Sequence, residues 1–314
     1  MRGADMIARD VSMFMRGIGT LLVVFAHYAQ WYITVADSNA VWQLLSKAGR
    51  YGVAIFFLVS GYGLVCSARK GLDADWVRRR VFNVYIPYLC IEGVIHLLER
   101  SQWTLNRIIR YFLGMDAWFV FVIVIFYLLF WIVWKFCEHR IFWMTAGVAV
   151  ISFALAVTMK DSVWYASNVA FLIGTVAGEY GDETAVWLGT GKRRKTCIIV
   201  LFVVFLCSGG VYTFYTDRFQ AVYLAGKMIA SAVWSLFLLC LFANQKKTNE
   251  LVVRIGAASM EIYLIHIFIL QKLEILLGIT GAEVVALSGI LLSLILGRLL
   301  SEVFGSLGQR SRGK

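Results

Sequence analysis

The sequence has few charged residues for its length. Only 16% of its 314 residues are Asp, Glu, Lys or Arg, whereas 60% are hydrophobic, and the mean hydropathy is +0.75. A soluble domain usually carries about 25% charged residues, so this composition excludes an ordinary soluble protein and predicts a polytopic membrane protein. The chain has one proline and no Pro/Ser-rich linker. We therefore expect one integral membrane domain over residues 1–314.

Several familiar site motifs are also missing. The six cysteines show no CxxC spacing and are interpreted as packed free thiols. The four histidines show neither HxxxH nor HExxH spacing, so we expect no metal site. GxSxG, P-loop and GxGxxG motifs are absent. The first fifteen residues are too polar for a cleavable signal peptide, so we expect none.

Ten apolar stretches are long enough, or nearly so, to cross a bilayer as helices. The stretch near 81–98 is interrupted by Pro87, Glu92 and His96, but a proline is tolerated where neighbouring helices satisfy the freed carbonyl. The sequence therefore predicts an all-α fold of about ten transmembrane helices. They lie near residues 17–35, 51–68, 81–98, 118–136, 141–159, 163–180, 196–213, 221–243, 251–276 and 282–301.

Basic residues are divided unequally between the two sets of loops. If the N-terminus is cytoplasmic and the chain alternates sides, the cytoplasmic segments hold 19 Lys and Arg residues and the opposite loops hold 7. This asymmetry follows the positive-inside rule and predicts that both termini are cytoplasmic. The net charge of +11 then reflects topology and contact with anionic membrane lipids. We expect no nucleic acid partner.

Arg16 and His27 lie eleven residues apart in the first apolar stretch, MRGIGTLLVVFAHY. Eleven residues make about three helical turns, which places both side chains on one face and about 16 Å apart along the axis. His27 is then expected near the bilayer midplane, where ionisable residues usually mark a pathway or a reaction centre. Histidine can take a proton from a hydroxyl and return it, and arginine suits a phosphate or carboxylate. The alternatives are a histidine hydrogen-bonded across two helices and an arginine that anchors the helix at the interface.

Two further segments carry small or basic residues. In YGVAIFFLVSGYGL, residues 51–64, the glycines predict close helix packing, and Ser60 either binds substrate or forms an interhelical hydrogen bond. A basic run precedes the third stretch in WVRRRVFNVYIPY, residues 76–88. This run either anchors the helix by the positive-inside rule or binds an anion, such as the phosphates of a cytosolic donor. Its members are Arg78, Arg79 and Arg80.

The ninth stretch contains MEIYLIHIF, residues 260–268, with a carboxylate, a phenol and an imidazole at Glu261, Tyr263 and His266. Tyr263 and His266 are three residues apart and share a helix face. Three such groups are unusual against lipid, so part of this helix is expected to face the protein interior. His96, near a helix end, is interpreted as an interfacial residue.

Taken in order, four motifs resemble those of the membrane-bound acyltransferase family 3. They are Arg16 ten residues before His27, then GVAIFFLVSGY, then the basic run before YIPY, then IYLIH. The resemblance implies that His27 is the catalytic residue and Arg16 its essential partner. The depth of these residues in the membrane further predicts that the arginine run at the cytoplasmic mouth binds the acyl donor. Further residues are expected to support the site. They are Ser60, Tyr62, Trp118, Tyr127, Glu261, Tyr263 and His266.

The chain departs from the family pattern in three respects. Many members carry a second basic residue four positions before the proline, where this chain has Asn83. One branch carries a glutamate five residues after a tryptophan, and here Ile123 takes its place after Trp118. Many relatives also have a C-terminal esterase-like domain, which we do not expect here. The chain is then expected to present its acyl group directly to a glycan or to depend on a separate partner.

The resemblance implies a bacterial inner-membrane O-acyltransferase. Such an enzyme moves an acyl group, usually acetyl, from cytosolic acetyl-CoA to a hydroxyl of a cell-surface or lipid-linked glycan, with acyl-CoA as co-substrate and no permanently bound cofactor. His27 acts either as a general base or as a covalent acyl carrier. A proton-coupled transporter or flippase of a lipid-linked or anionic sugar is the alternative, and a membrane scaffold without chemistry is a third hypothesis.

Overall fold

The computed structural model describes residues 6–36, 39–159, 161–189, 191–214, 220–277 and 281–310. Of the described residues, 85% are helical and none lies in a β-strand. The predicted all-α fold is therefore confirmed. Asn39, Asp73 and Thr104 each accept backbone N–H groups at the start of the helix that follows them, as polar N-cap residues usually do.

The first half of the chain alternates long apolar helices with short connecting ones. They are α1 (Arg9–Val35), α2 (Ala40–Ser46), α3 (Gly49–Ala68), α4 (Ala74–Arg80), α5 (Ile86–Leu98), α6 (Leu105–Leu113), α7 (Trp118–Phe136) and α8 (Arg140–Thr158). A π-helical turn, Val81–Tyr85, joins α4 to α5 just before Pro87. Such turns adjust a helix where its regular hydrogen bonding is interrupted.

The second half begins with a 3₁₀ turn at Ser162–Trp164 and continues with helices of very different length. They are α9 (Val169–Glu179), α10 (Gly181–Leu188), α11 (Lys192–Phe214), α12 (Gln220–Phe242), α13 (Glu250–Ala257), α14 (Ser259–Leu277) and α15 (Ala282–Arg310). The chain bends by 76° between α13 and α14.

The predicted number of about ten membrane-crossing helices is not confirmed. Among the described residues, seven helices are long and apolar enough to cross a membrane, or eight if α13 and α14 form one broken span. The stretch expected at 163–180 contains the end of the 3₁₀ turn and the 11-residue helix α9, which rises about 16 Å and is too short for a hydrocarbon core of about 30 Å. The stretch expected at 196–213 lies within α11, which is not among the seven. The expected cytoplasmic termini, residues 1–5 and 311–314, lie outside the described residues.

The helices form two compact units, each assembled from segments distant in sequence. The first unit comprises residues 1–15, 53–72 and 125–249, and the second comprises residues 16–52, 73–124 and 250–314.

In the first unit, α3 and α9 approach through a pair of glycines. A Cβ atom on Gly61 would collide with the backbone of Phe171, and one on Gly174 would collide with the backbone of Leu58. Small residues permit this close approach, as the sequence predicts for the 51–64 segment. Gly63, in contrast, has open space beside it, so only part of that glycine pattern serves helix packing.

In the second unit, α14 packs against both α15 and α5. Tyr28 of α1, Ile262 of α14 and Val285 of α15 belong to one core cluster and are fully buried. Tyr88 of α5 and Leu264 of α14 belong to a second cluster. Helix α14 therefore has protein on several sides, as its polar residues predict.

Candidate active site

A hydrogen bond joins the two histidines of α1 and α14. His27 Nδ1 lies 2.6 Å from His266 Nε2. The rings are nearly parallel, with an interplanar angle of 18° and centroids 4.9 Å apart. His266 is fully buried, whereas His27 is half-buried. The second unit therefore holds a direct imidazole pair within its hydrophobic helices.

The neighbours of His266 determine which ring nitrogen carries the hydrogen in each of the two histidines. His266 Nδ1 lies 2.6 Å from the carbonyl oxygen of Tyr263 and 3.2 Å from that of Ile262. A carbonyl oxygen can only accept, so Nδ1 of His266 carries the hydrogen and its Nε2 is the acceptor when the ring is neutral. His27 Nδ1 must then donate to His266 Nε2. The lone pair of neutral His27 is consequently on Nε2, where it can accept a proton.

Tyr28 fixes the backbone of the same helix turn. Its buried hydroxyl lies 3.2 Å from the His266 carbonyl oxygen and 3.1 Å from Ser293 Oγ. Ser293 in turn donates to the Gly289 carbonyl at 2.7 Å. A Cβ atom on Gly289 would overlap the Tyr28 ring, so α15 can approach α1 only with glycine at this position. These contacts tie α1, α14 and α15 together beside the histidine pair.

Other polar residues of α14 lie around the pair at different distances. The Tyr263 ring lies 5.9 Å from the His266 ring and 5.6 Å from Phe119. Glu261 is buried in the first turn of α14, where the helix dipole favours a carboxylate. Glu261 precedes His266 by five residues, about 140° around the helix. Of these predicted residues, Tyr263 contacts the pair and Glu261 faces another direction.

Arg16 lies on the same unbroken helix as His27. Because α1 runs from Arg9 to Val35 without interruption, the predicted common face and axial separation of about 16 Å hold. The Arg16 side chain is half-buried, and its carbonyl accepts a hydrogen bond of 2.9 Å from Thr20 Oγ1.

The arginine run lies at the end of α4, and all three members are half-buried. Arg80 stacks over the buried Trp76 ring at 4.1 Å and donates to its carbonyl at 3.2 Å. Arg78 lies 3.9 Å from Asp75. Arg80 therefore has a clear packing role, in addition to the anion binding that the sequence suggests for the run.

The remaining predicted site residues are divided between the units. Ser60, Tyr62 and Tyr127 lie in the first unit, where the Tyr62 hydroxyl accepts a hydrogen bond of 2.9 Å from the N–H of Ile7. Trp118 lies in the second unit, with its ring 6.2 Å from that of Phe119. Among the described residues, no three His, Cys, Asp or Glu side chains converge in the manner of a metal site.

Both histidines are indicated as site residues by the sequence, but their contact is not. They are 239 positions apart, and no spacing rule relates residues at that distance. His96 is expected from the sequence only as an interfacial residue, whereas the structure buries it to 4% exposure against Asp116.

A family model described as an acyltransferase domain, that of acyltransferase family 3, matches residues 13–302. This match covers nearly the whole chain and includes both histidines.

The chain belongs to acyltransferase family 3.

Searches of curated proteins and of solved structures found no significant match to the chain. Membership of acyltransferase family 3 and the apolar helices together make this a multi-pass membrane acyltransferase in general terms. The resemblance inferred from the four motifs is thus confirmed over a longer part of the chain than the motifs occupy.

Proposed function

We propose that this protein is a membrane O-acyltransferase that moves an acyl group, most simply acetyl, from cytosolic acyl-CoA to a hydroxyl of a cell-surface or lipid-linked glycan. The observation that supports this proposal is the direction of the hydrogen bond between His27 and His266. It leaves His27 Nε2 unprotonated, as a general base for a hydroxyl requires.

In the proposed reaction, the acceptor hydroxyl attacks the thioester carbonyl carbon while its proton passes to His27 Nε2. The carbon–sulfur bond then breaks, and the His27 imidazolium returns the proton to the thiolate of CoA. Positive charge on His27 is stabilised by the bond from its Nδ1–H to His266. This arrangement is analogous to the orienting group of a catalytic triad, with a neutral acceptor in place of the carboxylate.

We propose that the acyl donor binds at the arginine run that ends α4. Guanidinium groups bind phosphates through paired hydrogen bonds, and Arg16 lies on the face of α1 that also carries His27. We place the phosphates of CoA against Arg78, Arg79 and Arg80, with Arg16 between this cluster and His27. In this scheme the thioester reaches His27 from the cytoplasmic side and the glycan reaches it from the opposite side, in a bacterial inner membrane.

Replacement of His27 tests the proposal. In a strain that lacks the native gene, we expect His27→Ala to lower the O-acyl content of surface glycans, with an acyl-transfer rate about 100-fold or more below wild type, because general-base catalysis contributes that much. Mass spectrometry of the glycans and release of CoA by the purified protein are the measurements. His139→Ala is the matched control, since His139 is exposed at the start of α8.

Normal acyl transfer by folded His27→Ala protein would contradict the proposal. Unchanged glycan acylation in a deletion strain, together with loss of sugar translocation, would favour the transporter hypothesis. An acyl group trapped on His27 after acid quenching would identify the covalent route rather than the general-base route.

A further inference from the structure

A second polar cluster lies at the far end of α5, in the second unit. His96 Nε2 lies 3.0 Å from Asp116 Oδ2, and His96 Nδ1 lies 3.3 Å from Ser101 Oγ. His96 is only 4% exposed, whereas Ser101 is half-buried. A serine, a histidine and an aspartate are therefore connected in series through the buried histidine.

The protons of this cluster can be assigned from its acceptors. A carboxylate only accepts hydrogen bonds, so His96 Nε2 carries the hydrogen that Asp116 receives. The lone pair of neutral His96 is then on Nδ1 and faces the Ser101 hydroxyl. This is the relation between base and nucleophile in serine hydrolases, which is recognised by geometry rather than by sequence position. A distance of 3.3 Å lies within the range found before substrate binds.

The backbone at the C-terminal end of α5 places Ser101 next to His96. Ser101 N–H donates to the His96 carbonyl at 3.0 Å, and Arg100 N–H donates to the Leu97 carbonyl at 3.2 Å. This is a Schellman arrangement, in which the two residues corresponding to His96 and Ser101 normally make a hydrophobic contact. Here a serine–histidine hydrogen bond replaces that contact. Arg100 also adopts φ of 52°, a left-handed conformation that usually requires glycine.

Aromatic rings and an arginine surround the buried histidine. The Trp103 ring lies 5.4 Å from His96 and the Tyr111 ring lies 5.8 Å from it, both edge-on. The Tyr111 hydroxyl donates to the Leu89 carbonyl, and burial raises the pKa of this hydroxyl. Arg110 Nε lies 4.0 Å from the other oxygen of Asp116. The apolar surroundings strengthen the hydrogen bonds within the cluster.

We propose that Ser101, His96 and Asp116 form a second catalytic site, a serine nucleophile that acts on acyl esters of hydroxyl compounds. Ser101 Oγ forms a bond to the ester carbonyl carbon and its proton passes to His96 Nδ1. The bond from that carbon to the alcohol oxygen breaks, and His96 gives the proton to the departing alcohol. A second hydroxyl, from water or from another sugar, then attacks the acyl-serine by the same steps and restores Ser101.

The position of this site suits an ester substrate outside the cytoplasm. The apolar helix Ala74–Leu98 contains 25 residues, which rise about 37 Å and exceed the hydrocarbon thickness of about 30 Å. Ser101 follows one end of this helix, and the arginine run lies at the other. Acylated glycans on the face opposite the arginines would therefore reach Ser101. The choice of a glycan ester as substrate rests on the acceptor class proposed above, whereas the reactive serine does not rest on the role proposed for His27.

A fluorophosphonate probe tests the inference on the full chain in lipid nanodiscs. The serine oxygen displaces fluoride from the probe and forms a stable phosphorus–oxygen bond, which peptide mass spectrometry locates. We expect an adduct on Ser101 in the wild type and none at that site in Ser101→Ala. Asp116→Asn should lower the labelling rate about 100-fold, because it removes the group that holds His96 in its reactive tautomer.

Ser46 provides the matched control. It is also half-buried and donates to a backbone carbonyl, that of Gln43, at 2.8 Å. Ser46→Ala should leave the labelling rate unchanged, and Ser46 itself should not react. The inference is overturned if wild-type Ser101 stays unlabelled at saturating probe. It is equally overturned if Ser101 reacts at the same rate in Asp116→Asn protein whose thermal unfolding matches wild type.

Discussion

At the scale of single residues, the proposed acyl transfer depends on which nitrogen of each of two imidazole rings carries a hydrogen. A histidine on a membrane helix can present either nitrogen, and the choice follows from what the other nitrogen meets. The carbonyls of Ile262 and Tyr263 hold the Nδ1 hydrogen of His266, and this decides the tautomer of His27 one step away. In the proposed mechanism, His266 is a positioning residue and His27 is the group that meets the substrate.

Replacing His266 by glutamine or by asparagine tests the roles of its Nε2 and Nδ1 atoms separately. The glutamine amide reaches the position of Nε2 and can still accept from His27, whereas the shorter asparagine reaches only the position of Nδ1. We expect His266→Gln to keep kcat within about tenfold of wild type and His266→Asn to lower it about 100-fold, by loss of the orienting bond. Acyl-transfer kinetics at saturating acyl-CoA provide the measurement.

Thermal unfolding of both His266 variants supplies the control for this comparison. Both replacements put an amide into the same fully buried position, so their stabilities should be similar. Equal kcat in two variants of equal stability would show that the acceptor at Nε2 has no role in the reaction.

At the scale of helices, glycines decide how closely the backbones approach. Gly61 and Gly63 are two residues apart and therefore lie on opposite sides of α3. The sequence pattern predicts close helix packing at both. The structure distinguishes them, because only Gly61 faces the backbone of α9. Glycine is therefore needed at Gly61 for space.

Valine at each position tests this distinction. Gly61→Val should destabilise the protein by about 1–3 kcal/mol, the usual cost of inserting atoms into a packed site. Gly63→Val, with no atom within 4 Å of its Cβ position, should be neutral or slightly stabilising, since valine has the higher helix propensity. Unfolding midpoints in detergent provide the comparison, and equal midpoints would contradict the close approach of α3 and α9.

At the scale of the whole molecule, the distribution of charge predicts which ends of the helices share a side of the membrane. The basic run at the start of the Ala74–Leu98 helix should stay cytoplasmic by the positive-inside rule. Residues after Leu98 should then be outside. This assignment places the histidine–aspartate cluster of α5 on the side where acceptor glycans are expected.

Single cysteines introduced on either side of this helix test the assignment. The six native cysteines are replaced first. In intact cells a membrane-impermeant maleimide should label Gln102→Cys and should label Lys70→Cys only after permeabilisation, since both positions are exposed. Labelling of both positions in intact cells would mean that the helix does not cross.

The number of membrane-crossing helices cannot be predicted from local hydropathy alone. Hydropathy located each long helix correctly in outline, yet the stretch at 163–180 is broken by a 3₁₀ turn before the short α9. Hydropathy averages over a window and does not register such a break. Similarly, the bend of 76° between α13 and α14 falls inside one apolar stretch.

The sequence by itself determined the membrane class, the helical fold, the common face of Arg16 and His27, and the family. These properties follow from composition and from the 100° helical repeat, which act over a few turns. Only the tertiary structure decided that His27 meets His266 and that His96 meets both Ser101 and Asp116. Helical periodicity specifies which side chains share a face, but which faces meet depends on packing between helices distant in the chain.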